Sequence, residues 1–165
     1  MLPHLDAAYR YARWLARSSN DADDIVQEAT LRAYRSFQDL HAADGRAWLL
    51  SIVRNCYLTA MKQRQRRNLV SLPEEDGDHG RVLVAATQGP ENAAMERDTQ
   101  RMLQRLLAAL PEEHREVLVL REIEDMGYRE IAQVTGLRIG TVMSRLARAR
   151  AALRTQCLQQ GLRSK

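Results

Sequence analysis

The chain has 165 residues, a mass of 18.9 kDa and a formal net charge of +4, so it can form one medium domain or two small ones. Hydrophobic residues make up 45% of the composition and charged residues 28%, which is typical of a globular protein. One Phe, eight Gly and four Pro leave little material for an all-β fold, and we therefore expect an all-α protein.

The charge is distributed unevenly along the chain. Basic residues outnumber acidic ones by eleven to seven in residues 1–67 and by twelve to eight in residues 98–165. Residues 68–97, between them, hold only two basic residues and six acidic ones. Because partners respond to local fields, two basic segments around an acidic middle are more informative than the total charge.

Three helices are predicted in residues 1–67, which we expect to form a first small domain. One lies around residues 5–16, a second follows the cap candidates Asn20 and Asp21, and a third covers residues 46–67. Apolar side chains at three- and four-residue steps predict one buried face on each of the last two helices. These residues are Ala22, Ile25, Ala29, Ala33 and Phe37, then Leu49, Ile52, Val53, Cys56 and Ala60.

The outer surfaces of these two helices differ in charge. The second helix presents an acidic surface with an exposed leucine, which would repel phosphates and is a candidate for contact with a protein. Its residues are Asp24, Gln27, Glu28 and Leu31, with Arg35 one turn beyond. The third presents Ser51, Arg54, Asn55, Leu58 and Lys62 and ends in KQRQRR, including Arg66, which suits a phosphate backbone. Solvated charged surfaces explain the same two patterns.

Residues 68–97 are predicted to be a flexible acidic linker. They include SLPEEDGDHGRVLVAATQGPEN, which mixes acidic residues, Gly and Pro and has no helical stripe.

Residues 98–165 are predicted to form a second, four-helix domain. A stripe of Leu103, Leu106, Leu107 and Leu110 stops at Pro111, and a further helix reaches about Ile123. The segment that follows reads YREIAQVTGLRIGTVMSRLARAR, two short helices around Gly136, which supplies a tight turn. This pattern indicates a helix-turn-helix.

The second helix of that motif has a small, polar and basic outer surface. Spacing predicts a buried stripe of Ile139, Val142, Leu146, Ala149 and Leu153. The opposite surface carries Ser144 and Arg148, flanked by Thr141 and Arg145 on one side and by Met143 and Ala147 on the other. Short side chains let a helix approach the major groove, where arginine can bind guanine through two hydrogen bonds.

We expect no metal, cofactor or enzyme active site. Cys56 and Cys157 are isolated, the four histidines are scattered, and no nucleophile lies near a base and its orienting group. No apolar run approaches the roughly 20 residues of a membrane span, and no charged-then-apolar leader opens the chain. The expected location is the cytoplasm, without membrane insertion.

Three stretches together resemble a known family. In chain order they are DADDIVQEATLRAYRSF, RAWLLSIVRNCYLTAMKQRQRR and LPEEHREVLVLREIEDMGYREIAQVTGLRIGTVMSRLARAR. Their sequence and order are similar to those of extracytoplasmic function (ECF, group IV) sigma factors of bacterial RNA polymerase. The resemblance covers nearly the whole chain outside the linker.

The resemblance implies a promoter-specificity subunit that binds core RNA polymerase and promoter DNA. Residues 1–67 would correspond to sigma region two, and residues 98–165 to region four. The helix with Asp24, Gln27, Glu28, Leu31 and Arg35 would dock on the largest catalytic subunits. An anti-sigma factor that hides the DNA and core faces is also implied, and the linker would thread the polymerase toward its RNA exit path.

The same resemblance assigns DNA contacts. The upstream-ten element would be read and melted by the third helix and the loop before it, with a flipped base captured near Asn55. The residues implied are Leu40, His41, Arg54, Asn55, Lys62 and Arg66. The upstream-thirty-five element would be read as duplex by Thr141, Met143, Ser144, Arg145, Ala147 and Arg148, with Arg129 and Arg145 holding phosphates. Met143 departs from the family, which often has Lys or Arg there.

Two other functions fit the residues. A conventional helix-turn-helix regulator would bind DNA stably without polymerase. An interaction module that mimics a sigma factor would bind a partner without supporting transcription.

Overall fold

A computed structural model describes residues 4–16, 18–36, 45–68, 99, 101–159 and 161. All regular elements in these ranges are helical, which confirms the all-α prediction. The helices are α1 (Leu5–Leu15), α2 (Ser19–Arg35), α3 (Gly45–Asn68), α4 (described over residues 101–108), α5 (Glu112–Leu118), α6 (Tyr128–Thr135) and α7 (Ile139–Gln159). A π-helical turn, Val119–Ile123, continues α5. Within the same ranges, no helix is long and apolar enough to cross a bilayer.

Helices α1, α2 and α3 pack against one another through a face rich in alanine. Ala22, Ala29 and Ala33 of α2 are buried, as are Val53 and Cys56 of α3. Small side chains let the helix axes approach closely, so that larger residues from α1 and α3 fill the remaining space. The prediction was wrong for Ala60, which is exposed and borders a cleft between α2 and α3. Phe37 lies outside the described residues.

The start of α2 differs from the prediction. Ser18 is the cap residue: its backbone is extended, and its hydroxyl oxygen accepts a hydrogen bond from the Asp21 N–H at 3.2 Å. Asn20 and Asp21, the predicted caps, already lie inside the helix. The hydroxyl satisfies one of the N–H groups that the first turn leaves without a partner, and Asp21 adds a favourable charge at that helix end.

The C-terminal helices α4 to α7 contribute a second set of buried side chains. Leu106, Leu107 and Leu110 of the α4 segment are buried, but Leu103 is 41% exposed because the packing of this segment begins one turn later. Pro111 separates α4 from α5, as predicted. The predicted linker falls outside the described residues except for Asn68, the last residue of α3.

The two groups of helices contact each other. Helix α3 packs against α6, and α1 packs against the π-helical turn. The buried side chains of α1 to α3 and of α4 to α7 consequently belong to one contiguous cluster. The contact places the side of α3 that carries Arg54 against the C-terminal helices.

Ser18→Ala should lower the free energy of unfolding by about 1 kcal/mol, because the Asp21 N–H would lose its partner at the first turn of α2. Urea denaturation followed by circular dichroism at 222 nm measures the change. Ser19→Ala is the control, since Ser19 is the first residue of α2 and its hydroxyl forms no hydrogen bond with the part of the chain that the structure describes. Equal loss of stability in both variants would contradict the capping role of Ser18.

Candidate nucleic-acid interface

Helices α6 and α7 form the predicted helix-turn-helix around Gly136. This glycine has φ +71° and ψ 13°, and its N–H donates to the Ala132 carbonyl oxygen at 2.9 Å. Such a left-handed conformation ends α6 in one residue, which is the role predicted for Gly136. The start of α6 is fixed by Glu130, whose carboxylate accepts from the Gly127 N–H at 2.6 Å.

Helix α7 buries one stripe and leaves its opposite side open. Val142, Leu146 and Ala149 are buried, whereas Met143 is 51% exposed and Ser144, Ala147 and Arg148 are exposed. The prediction was wrong for Ile139, which is 42% exposed. Ile139 is the first residue of α7 and both its chain neighbours are exposed, so the buried stripe begins at Val142, one turn later.

The predicted base-reading and phosphate-binding residues of this motif differ in their availability. Arg129 and Arg148 are exposed and form no ion pair with the residues that the structure describes. Thr141 is half-buried, and its carbonyl oxygen accepts from the Ser144 hydroxyl at 3.0 Å. Arg145 is held by Glu113 at 2.7 Å, with its side chain only 23% exposed. Arg148 is therefore the more accessible of the two arginines on α7 for which DNA contacts are predicted.

Contacts outside the predicted reading surface fix the orientation of the motif. The Arg150 guanidinium binds the Glu122 carboxylate at 2.7 Å and joins α7 to the π-helical turn. Arg121 donates to the Met126 carbonyl oxygen at 2.7 Å and lies 5.4 Å from the centre of the Tyr128 ring. A cation over an aromatic face is attracted by the ring quadrupole, so this contact steadies the start of α6.

The predicted polymerase-binding residues of α2 share one exposed surface. Asp24, Gln27, Glu28 and Arg35 are exposed, and Leu31 is 49% exposed. Asp24 and Glu28 border a cleft of about 380 Å³ between α2 and α3. Arg32, which the sequence analysis did not select, lines the same cleft and binds Glu28 at 2.7 Å. The arrangement is an open surface of mixed charge around Leu31.

The residues predicted for the upstream-ten element divide into three groups. Leu40 and His41 lie outside the described residues. Asn55, Lys62 and Arg66 are exposed on α3, and Asn55 shares a hollow of about 290 Å³ with Arg35 of α2. Arg54 was predicted to face outward, but its side chain is only 20% exposed because Glu116 of α5 covers it.

Glu116 is the centre of an interaction that the sequence analysis missed. One of its carboxylate oxygens accepts from the Arg54 Nε at 2.7 Å and from the buried Tyr11 hydroxyl at 2.8 Å. Burial and the neighbouring Glu116 charge raise the pKa of Tyr11 well above its ordinary value, so the phenol remains a donor. Although burial disfavours its charge, Arg54 has a raised pKa because Glu116 binds the guanidinium.

Two further contacts near Glu116 also have their donor in α1 or α3 and their acceptor in the C-terminal helices. The Arg10 guanidinium binds both oxygens of Glu124, at 2.9 Å and 2.8 Å, and the Glu124 side chain is 1% exposed. The Tyr57 hydroxyl donates to Glu112 at 2.6 Å. We call the whole set the carboxylate clasp: donors Arg10, Tyr11, Arg54 and Tyr57 in α1 and α3, and acceptors Glu112, Glu116 and Glu124 in the C-terminal helices.

Across the described ranges, no group of three or more His, Cys, Asp and Glu side chains has the arrangement of a metal site. Cys56 is buried and Cys157 half-buried, and both are free thiols. Burial raises the pKa of the Cys56 thiol, which favours its protonated form.

Both sets of helices match family models. Residues 2–67 match Sigma-70 region 2, and residues 100–153 match Sigma-70, region 4. Over 139 residues the chain is 32% identical to the ECF RNA polymerase sigma-E factor of Escherichia coli, covering 82% of this chain and 73% of that protein. The chain belongs to the ECF sigma factor family. It is also 36% identical over 151 residues to the ECF RNA polymerase sigma factor SigE of Mycolicibacterium smegmatis.

That second match covers 92% of this ECF sigma factor but only 57% of the length of the mycobacterial protein. Two solved structures resemble the fold over most of the chain. The sigma factor RpoE from Bartonella quintana, in complex with the anti-sigma factor NepR, has a TM-score of 0.76 and 27% identity and covers 93% of this chain and 91% of its own. CnrH, in complex with the cytosolic domain of CnrY, has a TM-score of 0.64 and 26% identity. That match covers 94% of this chain and 82% of the CnrH chain.

Gly136→Ala should lower the free energy of unfolding by about 1–2 kcal/mol, because a Cβ is strained at φ +71° even where space is open. Chemical denaturation measures the loss. Gly140→Ala is the matched control, because Gly140 lies inside α7 with nothing within 4 Å of an added Cβ. The free energy of unfolding of this variant should stay the same or rise. A Gly136 variant as stable as the control would show that the turn tolerates a side chain.

Proposed function

We propose that this protein is a group IV sigma factor that binds core RNA polymerase, directs it to a class of promoters and helps to open them. The single observation that carries the proposal is the match of one chain to both sigma regions in the expected order. In this proposal the protein acts in the cytoplasm, needs no cofactor and performs no chemical step itself. A regulator with only a helix-turn-helix would not require the region 2 match.

The polymerase-binding role is assigned to the exposed surface of α2. Asp24, Gln27, Glu28 and Arg35 place acidic, polar and basic groups around the half-exposed Leu31. An apolar centre inside a charged rim is typical of protein interfaces. Docking through α2 would leave the DNA-facing residues of α3 and α7 available.

Promoter recognition is assigned to two separate helices. Helix α7 would enter the major groove of the upstream-thirty-five element with Ser144 and Arg148 toward the base edges and Arg129 toward phosphate. Helix α3 would hold the upstream-ten element through Asn55, Lys62 and Arg66. Opening requires only that this surface binds separated strands more tightly than duplex, because differential affinity shifts the equilibrium between the two states.

An anti-sigma factor is proposed as the regulator. Two solved relatives that cover more than nine-tenths of this chain are described as complexes, one with the anti-sigma factor NepR and one with the cytosolic domain of CnrY. In the proposal, a comparable partner would cover the α2 and DNA-facing surfaces until a signal releases it.

Reconstituted transcription tests the function. Purified bacterial core polymerase would be incubated with a promoter library, with and without this chain, and the transcripts sequenced. We expect a defined subset of promoters to be transcribed only when the chain is present. Stable DNA binding without polymerase would favour a conventional regulator, and partner binding without transcripts would favour a sigma-mimicking module.

Asp24→Lys combined with Glu28→Lys should weaken association with core polymerase by at least tenfold, since the variant reverses two charges on the proposed docking surface. Pull-down of purified core polymerase, with circular dichroism to verify the fold, measures this. Asp23→Lys is the control, because at roughly 100° per residue Asp23 lies about 140° around α2 from Glu28. Normal holoenzyme formation by the double variant would remove α2 from the docking surface.

Arg148→Ala should cost about 1–3 kcal/mol of discrimination at one position of the upstream-thirty-five element if the guanidinium makes a bidentate base contact. Sequencing of transcripts from a library randomised over that element measures the preference. Arg154→Ala provides the comparison, since Arg154 is an exposed arginine of the same helix beyond the region 4 match. Unchanged preference in the Arg148 variant would exclude it from the reading surface.

A further inference from the structure

We propose that α7 recognises thymine methyl groups through an apolar ridge formed by Ile139, Met143 and Ala147, so that its target in the major groove contains A·T pairs. This inference rests on the proposed role of α7 as the helix that enters the upstream-thirty-five element. It goes beyond that role because it names the base chemistry that this chain selects and the side chains that select it.

The apolar ridge is a continuous line along α7. Ile139, Met143 and Ala147 are spaced four residues apart, and side chains at this spacing are neighbours on the surface of a helix. Ile139 is 42% exposed, Met143 is 51% exposed, and Ala147 is also exposed. Single exposed apolar residues are common on proteins, but three in line form one apolar strip that is open to solvent.

The polar side chains beside the ridge have little hydrogen-bonding capacity left for base edges. The Ser144 hydroxyl donates to the Thr141 carbonyl oxygen at 3.0 Å. The Arg145 guanidinium is held by Glu113 at 2.7 Å, and its side chain is 23% exposed. Arg148 remains an exposed donor that forms no ion pair within the described ranges. A single available arginine beside an apolar strip favours recognition through methyl contacts over recognition through a set of hydrogen bonds.

The charge around the ridge favours DNA as its occupant. Residues 131–165 contain no Asp or Glu, and Arg138 and Arg148 are exposed near the ridge. Phosphates of both strands border the major groove, so basic side chains at the edges of an apolar strip match the charge of duplex DNA. A partner without such an anionic border would bury these arginines against no opposite charge, which costs free energy.

The thymine methyl group is the apolar feature that a base pair presents in the major groove. Cytosine carries a hydrogen at the same ring position, so apolar contact distinguishes A·T from G·C pairs. Met143 has a long, unbranched and adaptable side chain that can follow an irregular surface. The short side chain of Ala147 lets the helix approach the bases. The ridge therefore predicts a preference for A·T pairs at the positions that face Met143.

The test begins with selection from a randomised duplex library, by the full chain alone at low salt and by its complex with core polymerase. The enriched duplexes should share A·T pairs at adjacent positions. Synthesis of the same duplexes with deoxyuridine in place of thymine removes only the methyl groups. Fluorescence anisotropy should then show binding weakened about fourfold for each contacted methyl group, the factor expected for burial of one carbon. Affinity unchanged by deoxyuridine at every position would overturn the inference.

Substitution of Met143 assigns the effect to the ridge. Met143→Ala should bind the thymine and deoxyuridine duplexes with more nearly equal affinity, because the atoms that contact the methyl group are removed. Met143→Arg should exchange the preferred A·T pair for G·C, since arginine can donate two hydrogen bonds to guanine. Met143 is exposed, so both variants should keep the fold, which circular dichroism verifies. Wild-type methyl dependence in both variants would overturn the assignment.

Leu158→Ala is the control for loss of an exposed apolar side chain from the same helix. Leu158 is 64% exposed on α7 and lies beyond the region 4 match. This variant should retain the wild-type ratio of affinities for the thymine and deoxyuridine duplexes. An equal loss of methyl dependence in the Leu158 and Met143 variants would overturn the role of the ridge.

The outcomes separate this inference from the proposed sigma function. If the free chain shows methyl dependence but core polymerase yields no transcripts with it, the ridge stands and the sigma function fails. If transcripts arise from promoters whose upstream-thirty-five element shows no methyl dependence, the sigma function stands and the ridge inference fails. Where the free chain binds no duplex, the polymerase complex decides by the same comparison. Failure of both to enrich any A·T pair would overturn the inference.

Discussion

The Glu116 carboxylate is the point on which the arrangement of the helices depends. It is 7% exposed, and a carboxylate removed from water in this way costs several kcal/mol unless donors replace the solvent. Tyr11 and Arg54 supply those donors from two different helices. Because their geometry is directional, they fix α5 over α1 and α3 more strictly than apolar packing alone would.

The consequence is an asymmetry between the two predicted DNA-binding surfaces. The outer side of α7, with Ser144 and Arg148, is exposed in the structure, whereas Arg54 on α3 is covered. Asp24, Glu28 and Leu31 of α2 are also exposed.

Much of the fold was predictable because its signals are local. Apolar spacing places Ala22, Ala29 and Val142 on buried faces, and the left-handed turn at Gly136 follows from the sequence. Errors occurred at helix ends, where Ser18 rather than Asn20 or Asp21 caps α2 and where Ile139 opens α7 before the packing starts. Periodicity describes the middle of a helix and says little about its first turn.

The carboxylate clasp could not be predicted by the same route. Its pairs are separated by 62 residues for Arg54 and Glu116 and by 114 residues for Arg10 and Glu124. From its neighbours in the sequence, each glutamate is predicted to be a solvated charge on the polar side of a helix. Each arginine is predicted to be a DNA contact or a surface residue. The one local hint was that Glu116 directly precedes the apolar run VLVL.

The π-helical turn gives Glu116 and Glu124 their common orientation. Glu124 N–H donates to the Val119 carbonyl oxygen, five residues earlier, at 3.0 Å, so the turn accommodates one residue more than an α-helix would. The eight residue-to-residue steps from Glu116 to Glu124 then cover about the angle of seven α-helical steps, which is about two turns at 3.6 residues per turn. In an uninterrupted α-helix the second carboxylate would be rotated away from the first by roughly 80°. The single π-helical turn therefore brings the Glu116 and Glu124 carboxylates to the same side of the segment.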